Sequence, residues 1–158
     1  MLILDRMVDH RSMDWARWVV LLAAGGFMGN FVLCLADHAQ NGFFLPSERV
    51  GVVSAALGVG FLTAMVVVPE SRTLLAMNLG IMVIQAGVGL LGSYLHARAN
   101  WSRLTGSLWD TFVYGAPIFA PLLFADLALL AVLGLWAQAR CLAVENGKKG
   151  LTILTSTD

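Results

Sequence analysis

Polar and apolar residues follow one another in long blocks, without the short period of a soluble helix or strand. Residues 1–14, MLILDRMVDHRSMD, are polar and carry charges of both signs. Residues 15–36 form an apolar run long enough to cross a bilayer, which takes about 20 apolar residues in a helix. Residues 50–68 form a second run, stopped by Pro69, and residues 74–95 a third. The fourth covers residues 112–139, with Pro117 and Pro121 in its early turns, where a bend or irregular start is expected. Gly42 can end the first helix and Pro46 begin the second. Glu70-Ser71-Arg72 reads as a tight turn. Residues 141–158 form a polar tail.

The predicted fold is therefore all-α: an integral membrane four-helix bundle of up-down topology, spanning residues 15–140, with short polar segments at both ends. The first run is longer than the apolar region of a signal peptide, and Cys34-Leu35-Ala36 is a poor cleavage site. Leu33 also stands where a lipoprotein signal needs a small residue. An uncleaved span is expected.

Composition agrees. Of the 158 residues, 58% are hydrophobic and 13% charged, against about a quarter charged in soluble domains. Ten basic residues balance ten acidic ones, so no net charge draws the chain to nucleic acid. Arg6, Arg11, Arg17, Arg72, Arg140, Lys148 and Lys149, seven in all, fall on one side of the predicted topology, and Arg49, Arg98 and Arg103, three, on the other. Basic residues favour the cytoplasmic side. This places both termini in the cytoplasm, and a bacterial inner membrane is expected.

One pattern repeats. Asn30-Phe31-Val32-Leu33-Cys34 leads to His38-Ala39, and 58 positions later an apolar helix again closes on His96-Ala97. Gly29 maps onto Gly87, and a duplicated helical hairpin is one explanation. His38 and His96 then fall on the same side at matching depth. They can cap their helices, or hold haem or another tetrapyrrole between them. Cys34 lies four residues from His38 on one helix face and could join it in a copper or zinc site, with His96 as a third ligand.

Asp126, in LLFADLALL, is the most unusual residue. A charged carboxylate in mid-membrane costs about 2.5–3.5 kcal/mol on insertion scales. It should be protonated, hydrogen-bonded or facing a polar cavity. Gln85, Asn78 and Asn30 are candidate partners, Gln85 matching best in depth. The role is either a structural hydrogen bond or a carboxylate that carries protons or substrate.

Small residues at close spacing let membrane helices approach. Gly25 and Gly29, Ala56, Gly60 and Ala64, and Gly80 and Gly87 are the expected packing positions, within the bundle or against a neighbouring subunit. No phosphate loop, nucleophile elbow, zinc-protease helix or dinucleotide fingerprint is present. Short loops and abundant small faces make a non-catalytic subunit or assembly factor of a larger membrane complex the leading expectation, partnered by lipid and by other subunits or its own copies. A tetrapyrrole protein using His38 and His96, and an oligomeric proton-coupled transporter using Asp126, are the alternatives.

Overall fold

The computed structural model describes residues 2–102 and 107–155. They form five helices: α1 Leu2–Gln40, α2 Pro46–Val67, α3 Arg72–Ser102, α4 Leu108–Tyr114 and α5 Leu122–Thr155. Four segments are long and apolar enough to cross a membrane: Trp15–Gln40, Pro46–Val67, Arg72–Ser102 and Leu122–Val144. The chain is accordingly described as a multi-pass membrane protein. Arg103 lies outside the described residues, as do the side chains of Arg6, Arg11, Lys148 and Lys149.

α1 packs on α2 and on α5, and α3 packs on the same two helices. Contacts at several depths fix their register. Cys34 faces Gly51 and Phe27 faces Gly58 across α1 and α2. Gly26 faces Leu127, and Val19 faces Gly134, across α1 and α5. Gly89 lies against Ala125 and Phe124, and Gly92 against Pro121. The core therefore runs along a single seam. Val20, Ala23, Leu62, Met65, Met82, Ala131 and Leu135 fill one half, and the Phe27–Phe124 edge-to-face pair, 6.2 Å between centroids, sits nearer the middle.

The helices overrun the apolar runs at several ends, α3 continuing to Ser102, and the irregular start expected at Pro117 and Pro121 is a complete break. Helical backbone begins at Leu2, ahead of the first apolar run, and continues to Thr155 beyond the fourth. A helix that the membrane segment has already nucleated extends into the flanking residues without a new nucleation cost, even through weak helix formers such as Gly147 and Gly150. The fourth apolar run is not one helix. α4 ends at Tyr114, residues 115–121 are irregular, and α5 starts at Leu122. Pro117 and Pro121 lack the N–H groups that a continuous helix would need.

The turns are fixed by conventional caps. Pro46 occupies the first turn of α2. Ser71 accepts the Leu74 N–H through Oγ (3.2 Å) and caps α3. The α2–α3 turn is tied to α5 by Gln138, whose Nε2 donates to the Pro69 carbonyl at 2.8 Å.

Candidate functional site

The end of α1 shows why His38 is available for chemistry. Gly42 donates to the Ala39 carbonyl (3.0 Å) and Phe43 to the His38 carbonyl (2.9 Å). Gly42 and Phe43 have φ of 69° and 52°. This is a Schellman stop, in which the left-handed position strongly favours glycine. The Asn41 side chain takes the Asp37 carbonyl at 3.0 Å. The last carbonyls of α1 are thus met without the imidazole. The His38 ring stacks at a tilt on Phe43, centroids 6.4 Å apart, and its Nδ1 stands 3.6 Å from Glu48 Oε2.

His96 does not cap either. α3 continues past it to Ser102. Its Nδ1 lies 3.1 Å from the Pro117 carbonyl oxygen; that contact is a hydrogen bond when Nδ1 carries the proton, which leaves Nε2 as the acceptor. One turn on, Asn100 bonds both polar atoms of Ala116: Nδ2 donates to its carbonyl (2.8 Å) and Oδ1 accepts its N–H (2.7 Å). Non-helical backbone at membrane depth survives only where protein groups satisfy it. His96 and Asn100 supply those groups for the break between α4 and α5.

The same end of the bundle has a polar interior. Ser54 Oγ donates to Gln85 Oε1 (2.8 Å) and Gln85 Nε2 donates to the Ser54 carbonyl (2.6 Å). Gln85 therefore does not serve Asp126, the partner that depth alone suggested. Asn78 donates to Phe61 and Leu74 carbonyls, at 3.1 and 2.9 Å, and is also occupied elsewhere. Asn30 is 5% exposed, and its Nδ2 has no partner. His38, Glu48 and Asp37 lie at the same end of the bundle as His96. Among the described residues, no three His, Cys, Asp or Glu side chains converge as a metal site. Cys34 points at Gly51 on α2 rather than joining the imidazoles.

Asp126 is exposed, on the side of α5 away from the core residues Phe124, Ala128 and Leu135. It has no hydrogen bond or ion pair with another described residue. Its neighbours in the chain fix its depth. Leu127 meets Gly26 and Ala125 meets Gly89, both near the middle of their spans.

The small residues also divide unexpectedly. Nothing lies within 4 Å of a Cβ placed on Gly25, Gly29, Gly60, Gly80 or Gly87, and Ala56 is exposed. Ala64 is half-buried. The close approaches belong to Gly26, Gly51, Gly58, Gly89, Gly92, Gly115 and Gly134. Spacing alone could not separate the two sets. Polar neighbours could have: Gln85, Gly89, Ser93, His96 and Asn100 form one stripe at helical spacing on α3, and in lipid a polar stripe marks the inward face.

No protein-family model, no curated protein and no solved structure matches the chain.

Proposed function

We propose that the protein is a non-catalytic subunit or assembly factor of a larger membrane complex, docking other membrane subunits or its own copies. We read its course as up-down, with both termini cytoplasmic, in a bacterial inner membrane. A duplicated hairpin accounts for the His-Ala repeat.

The observation that carries this reading is Asp126. A carboxylate on the outward side of a span, without a partner among the described residues, faces lipid tails unless another protein covers it. The exposure penalty of about 2.5–3.5 kcal/mol for a charged residue at helix centre is relieved by a donor or cation on a neighbouring helix. Gly29 on α1 and Gly87 on α3 lie at similar depth with nothing against them, which allows close backbone approach.

The test is a photo-crosslinking amino acid in place of Leu129, one turn from Asp126 on the same exposed side, in native membranes. A discrete protein adduct that disappears with Asp126→Leu, at unchanged protein level, is the expected result. Adducts to lipid alone, or a protein adduct indifferent to Asp126, refute the proposal.

The transporter alternative draws on the same carboxylate and on the broken fourth leg, since discontinuous helices line many transport sites. There, pH-dependent flux in liposomes should vanish with Asp126→Asn while the crosslink survives. The tetrapyrrole alternative rests on the two histidines at one end, and a Soret band in purified protein is its test.

A further inference from the structure

We propose that the histidine end of the bundle encloses a hydrated vestibule that admits small cations, with Glu48 as its selecting charge. The proposal stands apart from the docking role, because its residues face inward and Asp126 faces outward.

Three polar atoms on three different helices are buried here without a hydrogen bond: Asn30 Nδ2 on α1, Ser93 Oγ on α3 and Glu48 Oε2 on α2, the last with only the His38 imidazole 3.6 Å away. Register places them along one seam. Ser54 on α2 bonds Gln85 on α3, and Glu48 and Ser93 lie about two turns further toward the histidine end. Glu48 sits beside His38, at the same end of the bundle as His96. Asn30 shares the inward face of α1 with Phe27 and Cys34.

Unpartnered buried polar atoms are rare, and each calls for a partner such as water or an ion. A dry seam in lipid would leave Asn30 Nδ2 and Ser93 Oγ unpaired and Glu48 Oε2 with only His38 beside it. Water entering from the histidine end would meet them in order: Glu48 and Ser93 at the mouth, Asn30 at the floor. The Phe124 ring tip reaches Gly51 at the depth of Cys34 and flanks the way from the mouth to Asn30; beneath Asn30, Phe27 against Gly58 closes the seam, and the packing below is apolar apart from bonded Asn78 and Gln138. Two further unpartnered atoms, Arg17 Nε and Asn78 Oδ1, belong to the opposite half, where Asn78 already donates twice.

The lining decides the ligand class. Glu48 is the carboxylate, the imidazole Nε2 atoms and the Ser93 hydroxyl can accept, and Asp37 adds negative charge at the rim. Two carboxylates at this end, Glu48 and Asp37, favour a cation and disfavour an anion.

Cys34 is a built-in reporter, half-buried on this seam against Gly51. The test uses the Cys141→Ser protein in nanodiscs, where both faces meet solvent. Two methanethiosulfonate reagents of similar size are compared, one with a fixed trimethylammonium group and one with a sulfonate. The Cys34 thiolate attacks the sulfenyl sulfur, forming a disulfide and releasing methanesulfinate, in both cases. Taking the ratio of the two rates cancels the thiol's own ionisation. Divided by the same ratio for a small free thiol, which removes the reagents' own difference toward a thiolate, the expected ratio is about tenfold in favour of the cation, as one nearby negative charge acts oppositely on the two reagents. Glu48→Gln should bring the ratio toward unity, and Glu48→Asp should keep it. No labelling by either reagent means a dry seam and overturns the proposal. Equal labelling in the parent protein, or a preference that survives Glu48→Gln, overturns the selecting role of Glu48.

Discussion

Two glycines on α3, Gly87 and Gly89, give a paired experiment in which one added methyl group has opposite expected effects. A Cβ on Gly89 would stand 2.8 Å from the Ala125 backbone nitrogen and 2.9 Å from the Pro121 carbonyl oxygen. Both atoms belong to backbone at the start of α5, so neither can rotate away. An ordinary carbon contact needs about 3.5 Å. α3 and α5 must therefore part by roughly half an ångström along the seam, and overpacking of this kind costs about 1–3 kcal/mol. Alanine's better helix propensity returns up to about 1 kcal/mol in both variants, so Gly89→Ala should be less stable than Gly87→Ala by about 1–3 kcal/mol. Gly87 has nothing within 4 Å of such a Cβ, so Gly87→Ala keeps only the propensity gain in the isolated chain. Thermal or denaturant unfolding of both variants in the same detergent measures the difference. A Gly89→Ala protein as stable as Gly87→Ala would refute the close approach of α3 to α5. Crosslinking in native membranes adds a second readout. If a neighbouring subunit packs on the Gly87 side, Gly87→Ala weakens association without lowering the stability of the isolated chain.

Three other outcomes are expected. Gln85→Leu removes both Ser54 bonds; a loss of about 1–2 kcal/mol should appear in unfolding, because the Ser54 hydroxyl is left buried without its partner. Ser54→Ala in the same background should add little further, since the pair acts as one unit. Asn100→Ala strips the bonds from the Ala116 N–H and carbonyl; hydrogen exchange around residues 115–121 should rise well before the rest of the bundle opens, and an unchanged pattern would refute its bracing role. Gly42→Val forces a β-branched residue into φ 69°, and should cost about 1–2 kcal/mol in unfolding while loosening the His38–Glu48 approach.

Sequence alone determined the four membrane segments and most of their turns, because the cost of exposing polar backbone to lipid leaves long apolar helices as the available solution. Pro46, Ser71 and Gly42 act at the ends where local chemistry put them, since a cap depends on residues a few positions apart. The tertiary structure decided which face of each helix turned inward. Gly25, Gly29, Gly60, Gly80 and Gly87 had packing spacing, yet they lie open, while Gly58 and Gly89 meet neighbours. Lipid and protein interior are equally apolar, so hydrophobicity gives no direction, and small residues alone do not choose one. The partners of polar side chains were likewise hidden. Gln85 is at the depth of Asp126 but turns to Ser54, and His96 meets a carbonyl made available by a proline break about 20 residues away. Depth could be counted along the chain. Rotation about each helix axis depended on all four spans at once.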